Sequence, residues 1–154
     1  MDEANKRGFE RYAVSTCAKD GLISRHNFGY WTREEYLGLG AGAYSLVKTE
    51  DGSKKLDKEK RFANVKDVNQ YIKYIENAQK FDDIDKVDVE YLCDKDVRNE
   101  AIMLSLRTTR GVESNLLTIP DNLKNFFEEA DWFTRLNAKG MAVMNSILAE
   151  ILDI

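Results

Sequence analysis

The run Tyr36-Leu37-Gly38-Leu39-Gly40-Ala41-Gly42-Ala43-Tyr44-Ser45 restricts what this chain can build more than any other stretch. It is apolar enough for a strand, yet glycine weakens a strand by adding backbone entropy and removing a packing side chain. Gly38, Gly40 and Gly42 therefore predict a crowded extended segment, approached closely by a ligand or by another piece of backbone. No Gly-Lys-Ser/Thr follows, which excludes a phosphate-binding loop.

Upstream lies the densest chemistry, Arg25-His26-Asn27-Phe28-Gly29-Tyr30-Trp31, holding the only histidine of the chain. Imidazole is both a metal ligand and a group that titrates near neutral pH, while Tyr and Trp offer flat apolar faces with a polar edge. If Asn27 caps a helical turn through Trp31, Tyr30 lies four residues from His26 on the same face. A flat, metal-bearing ligand would bind here, with Arg25 placed to meet an acidic group. The plainer alternative is a hydrogen-bonded structural histidine beside two core aromatics.

Other chemistries find less support. Cys17 and Cys93 lack CxxC spacing, so the chain builds neither a zinc knot nor an iron-sulfur cluster, and both thiols are expected to be buried. Ser15, Asp20 and His26 have no oxyanion hole to serve, and no catalytic residue is assigned. A net charge of -4 over 154 residues argues against a dedicated nucleic-acid binder. No apolar run approaches the roughly 20 residues that span a bilayer. The first residues carry acid where a signal peptide carries base, so a cytoplasmic protein is expected.

The remaining pattern is mixed. Residues 2 to 7 read as a helix stopping at Gly8, followed by a strand over Phe9–Ser15 and a turn at Lys19-Asp20-Gly21. Asp51-Gly52 predicts a surface hairpin between Leu46–Thr49 and a second arm running from Leu56 to about Asn64. Asn64 reads as the cap of an amphipathic helix with Val68, Tyr71, Ile72 and Ile75 on one face. An acidic linker at Phe81–Asp85 precedes a strand over Val87–Tyr91. Asp94 then caps a helix with Val97, Ala101 and Leu104 as its apolar face, ending by Gly111. Pro120 opens a short helix to about Phe127. Trp132–Leu136 reads as a strand, and Asn137 caps a last helix striped by Met141, Met144, Leu148 and Ile151. The class is α+β, with a winged-helix-like order of elements at the end.

Several of these residues together resemble a known family. They are Tyr12-Ala13-Val14-Ser15, His26-Asn27-x-x-Tyr30-Trp31, the glycine run, Arg61-x-x-Asn64, Glu100-x-x-Met103-Leu104-x-Leu106-Arg107, Gly111 and Leu136-x-x-Lys139-Gly140. The pattern is similar to the oxygen-independent coproporphyrinogen III oxidase-like radical-SAM proteins, in the haem chaperone branch of HemW type. It departs from the family at Ala13, Thr16 and Tyr44, where Glu, Asn and His are common.

The resemblance implies that residues 1–46 are the last strands of a radical-SAM (β/α) barrel and 47–154 a mostly helical C-terminal domain. The parent would carry a [4Fe-4S] cluster on CxxxCxxC, with S-adenosylmethionine beside it. That motif is absent from these 154 residues, so the chain alone would make no radical. The family assigns haem to the histidine matching His26. On that reading Asn27, Tyr30 and Trp31 would shape the site, Arg25 would meet a propionate, and Gly38, Gly40 and Gly42 would lie on the last barrel strand near the cofactor. Implied partners are haem or a porphyrin, a haem-accepting protein, or the parent's N-terminal barrel. The rival reading is a cover and docking domain with no ligand of its own.

Overall fold

The structure, a computed structural model, describes residues 2–48, 59–80 and 86–152. In chain order the elements are α1 (Asp2–Lys6), β1 (Phe9–Ala13), β2 (Thr16–Lys19), α2 (Arg25–Trp31), β3 (Tyr44–Lys48), β4 (Glu59–Asn64), α3 (Val68–Asn77) and β5 (Lys86–Leu92). There follow α4 (Asp94–Ser105), β6 (Val112–Glu113), 3-10 turns at Ser114–Leu116 and Asp121–Phe126, β7 (Phe127–Ala130), β8 (Phe133–Leu136), α5 (Ala138–Ala142) and α6 (Met144–Ile151). The α+β class holds. They group into two compact units, Met1–Arg33 with Arg98–Ile154, and Glu34–Val97. The expected division at 46/47 concerned descent from a barrel, which this grouping does not address. All described strand pairs are antiparallel, whereas barrel strands run parallel.

In the first unit, Gly8 ends α1 at φ +79° and turns the chain into the β1–β2 hairpin, with Arg11 opposite Cys17. The free edge of β1 is taken by a segment nearly a hundred residues later. Val14 N donates to Arg107 O at 2.8 Å, Thr109 N donates to Tyr12 O at 3.1 Å, and Ala13 bridges Thr108. Beyond this lies the core of Ile102, Leu106, Val112, Leu117, Leu123, Leu136, Met144, Ile147, Leu148 and Leu152. The sheet β6-β8-β7 covers it, and Asn137 starts α5 by accepting from Lys139 N and Gly140 N, both at 3.0 Å. Met144 and Leu148 of the expected stripe are buried, with Met141 and Ile151 packed at the margin.

The second unit is the sheet β3-β4-β5 with α3. Here the glycine run is a loop, not a strand, joined to β3 by a Tyr36–Leu46 bridge. Its organiser is Asn64, 3% exposed, whose amide donates to Gly38 O at 3.0 Å and Gly40 O at 2.9 Å. A Cβ on Gly38 would overlap the Tyr44 carbonyl oxygen, so another backbone is what comes close. With Asn64 committed there, α3 is capped instead by Asp67, which accepts from Gln70 N at 2.7 Å. Its apolar stripe is uncovered: Val68, Ile72 and Ile75 are 60%, 47% and 44% exposed.

Other expectations are corrected. Cys17 and Cys93 are exposed, not buried. The buried side chains at the end of α4 are Ile102 and Leu106, in place of Val97, Ala101 and Leu104. Pro120 precedes a 3-10 turn and not an α-helix. Asp51-Gly52 and the Phe81–Asp85 linker fall outside the described residues. No described helix is long and apolar enough to cross a membrane.

Gly111 holds φ +82°, and an added Cβ would overlap the Thr134 carbonyl oxygen. Gly111→Ala is expected to cost about 2 kcal/mol or more, read as a lower urea midpoint. Ile102→Ala, at a site 1% exposed, should cost about 2–5 kcal/mol by the same measurement.

Candidate functional site

Helix α2 starts at Ser24, whose hydroxyl accepts from Asn27 N at 3.3 Å. Asn27 is thus inside the first turn and is not the cap, which frees its side chain for a longer-range contact. At the other end the Thr32 hydroxyl lies 3.2 Å from the carbonyls of both Phe28 and Gly29.

Seven residues give this helix two useful stripes. On one, His26 and Tyr30 are both exposed, with Nε2 3.3 Å from the tyrosine hydroxyl and the rings edge-on, centroids 5.0 Å apart. Whether the imidazole donates or accepts depends on its tautomer. Arg25 is exposed beside them. On the other stripe, Asn27 Nδ2 lies 3.5 Å from the Tyr12 hydroxyl, at the long end for a hydrogen bond. Trp31 is half-buried, and its indole Nε1 is dry and without a partner among the described residues.

The hydrogen bond from Asn27 is the largest cause lowering the Tyr12 phenol below its ordinary value, because an N–H donor stabilises the phenolate. Behind α2, Phe28 and Trp31 line a cavity of about 160 Å³ with Ser105, Arg110, Glu113 and Phe133. A larger cavity in the same unit, about 480 Å³, is lined by Arg11, Thr109, Arg135, Leu136, Asn137 and Met141 and by no residue of α2. Gly38, Gly40 and Gly42 fall in the other unit, where backbone contacts account for the first and left-handed φ values of +108° and +71° for the others.

Among the described residues no three His, Cys, Asp or Glu side chains gather to hold a bare metal ion. His26 alone fits a metal only where the ion brings its other ligands with it. Haem iron does so, since the porphyrin supplies four nitrogens and the protein an axial one. Sequence reasoning placed His26 and Tyr30 on one face correctly but missed the cap and the opposite stripe. A serine three residues before Asn27 was the available signal for the cap.

Over 113 residues, 73% of its length, the chain is 34% identical to the "Heme chaperone HemW" of Bacillus subtilis. Over 112 residues, also 73%, it is 31% identical to that of Lactococcus lactis. The chain is of the HemW type. It matches 26% and 25% of those two proteins, so it spans about a quarter of their length. Over 46 residues, 29% of its length, the chain is also 44% identical to the mitochondrial "Radical S-adenosyl methionine domain-containing protein 1" of Danio rerio, covering 10% of that protein. No family model and no solved structure matches the chain.

Asn27→Ala removes the donor to Tyr12 and is expected to return that phenol toward the ordinary value of about 10. Tyrosine 13Cζ chemical shifts followed through a pH titration report it, and an unmoved Tyr12 curve would show that the contact is not formed.

Proposed function

We propose that this chain handles haem, with His26 as an axial ligand of the iron and Tyr30 against the porphyrin edge. The observation that carries the reading is the exposure of the only imidazole on a short capped helix, inside the His26-Asn27-x-x-Tyr30-Trp31 pattern of a HemW-type sequence. Relatives named as heme chaperones over 73% of the chain support it. Bound haem would supply an iron that accepts the imidazole lone pair. Tyr30 steadies the ring orientation through its hydroxyl, or releases it when Nε2 is claimed. Arg25, at the start of the helix and in water, would meet a propionate.

With His26 as its protein ligand, haem would be held through a single exposed side chain. That suits handing over more than permanent storage. Asn27 and Trp31 serve the site by seating the helix. The role of Gly38, Gly40 and Gly42 in this reading is only to shape their loop. A parent with a radical-SAM barrel, [4Fe-4S] cluster and S-adenosylmethionine belongs to the same proposal, the antiparallel strands described here lying outside its parallel barrel.

A second reading, a cover or docking segment with no ligand, is favoured by exposed apolar side chains in each unit. Leu22 is 80% exposed and Ile23 38% in the first unit, and Leu37 57% and Leu39 86% in the second. The two readings part at His26.

Haemin added to the chain is expected to shift its Soret band, and His26→Ala to weaken binding about tenfold or more, at least ~1.4 kcal/mol. Binding that is equally tight in the variant would reject His26 as ligand, and the absence of any Soret shift in the unaltered chain would favour the docking reading.

A further inference from the structure

The outer nitrogen of the only imidazole is already engaged. His26 Nε2 lies 3.3 Å from the Tyr30 hydroxyl, and the two rings stand edge-on at 78° with centroids 5.0 Å apart. In one tautomer Nε2 accepts from the hydroxyl, and in the other it carries the proton and donates. Either way its lone pair is closed to a metal. The second nitrogen, Nδ1, sits beside the ring carbon that bears the side chain, so a macrocycle approaching it would run into Cβ and the helix backbone. Nε2 is therefore the nitrogen that can face iron in a porphyrin, and it can do so only by giving up the tyrosine hydroxyl. That hydroxyl loses little by letting go, because Tyr30 is 41% exposed and water takes over its hydrogen bond. The i, i+4 spacing on a helix started by the Ser24 cap keeps the two side chains in register, so the hydroxyl stands ready to return.

We propose that the Tyr30 hydroxyl is a built-in competitor for the ligating nitrogen, weakening the hold of His26 on haem iron and easing its release. The inference rests on the haem reading above. On binding, Nε2 gives up its hydrogen bond to Tyr30 and turns its lone pair to the iron; where Nε2 carried the proton, that proton passes through water to Nδ1. On release the hydroxyl recaptures Nε2. This hydrogen bond exists only in the haem-free chain, so its worth is subtracted from the affinity. A hydroxyl that supported ligation, or a tyrosine oxygen that took the iron itself, would act with the opposite sign.

Tyr30→Phe keeps the ring and removes the hydroxyl. With a single histidine in the chain, the imidazole 15N resonances of the haem-free protein report the contact directly, and they are expected to shift in the variant. Unmoved resonances would show that the hydrogen bond is not made and overturn the inference. With haemin, Tyr30→Phe is expected to bind about two- to fivefold more tightly, the net worth of one exposed hydrogen bond, and to lose haemin to excess apomyoglobin more slowly by a similar factor. Binding in Tyr30→Phe that is equal or weaker, beside a loss of binding in His26→Ala, overturns the competitor and leaves the haem reading standing. Binding in His26→Ala as tight as in the unaltered chain overturns the haem reading, and the competitor with it.

Discussion

The hydrogen bonds joining residues 12–14 to residues 107–109 are the constraint on which the first unit depends. They close a loop of nearly a hundred residues with two backbone hydrogen bonds that flank the bridged pair Ala13 and Thr108, which are 0% and 2% exposed. Loop-closure entropy grows slowly with length, so a few well-packed long-range bonds suffice once the core behind them is formed. Ala13 suits this position because a longer side chain would have nowhere to go. The glutamate common there in the family would have to bury its carboxylate or displace Thr108, so the departure at Ala13 has a packing consequence.

That junction also sets what α2 can do. β1 offers Tyr12 to Asn27, and the chain after Arg107 supplies the wall against which Phe28 and Trp31 lie. The helix is thereby fixed through one stripe, and the His26–Tyr30 stripe is left in water. An exposed aromatic pair on a short helix contributes only tenths of a kcal/mol to stability. Folding therefore asks little of His26.

How much of this was legible in the sequence depends on the range of the forces involved. Local signals read well: the helix stop at Gly8, the Asn137 cap, and the stripe through Met144 and Leu148. Competition between nearby capping residues did not. Asn64 and Asp67 are equally good caps by type, and only the carbonyls of Gly38 and Gly40 decide that Asn64 serves the loop. The glycine run correctly announced a close backbone, yet its strand-like composition concealed a loop held by one distant side chain. Short strands such as Thr16–Lys19 and Phe127–Ala130 carry too few residues for their alternation to stand out, and they exist because a partner lies beside them. At the candidate site, the exposed pair followed from i, i+4 spacing alone. The cavity that Phe28 and Trp31 line did not, since residues 105 to 133 complete its wall.

With a single histidine in the chain, iron ligation can be tested without ambiguity. Pulsed electron paramagnetic resonance of the ferric haemin complex, prepared with natural-abundance and with 15N-histidine protein, reads the axial nitrogen directly. A hyperfine coupling that changes with the isotope is expected, and only His26 can provide it. A spectrum indifferent to the label would contradict His26 as the ligand and with it the reading of α2 as a haem-presenting helix.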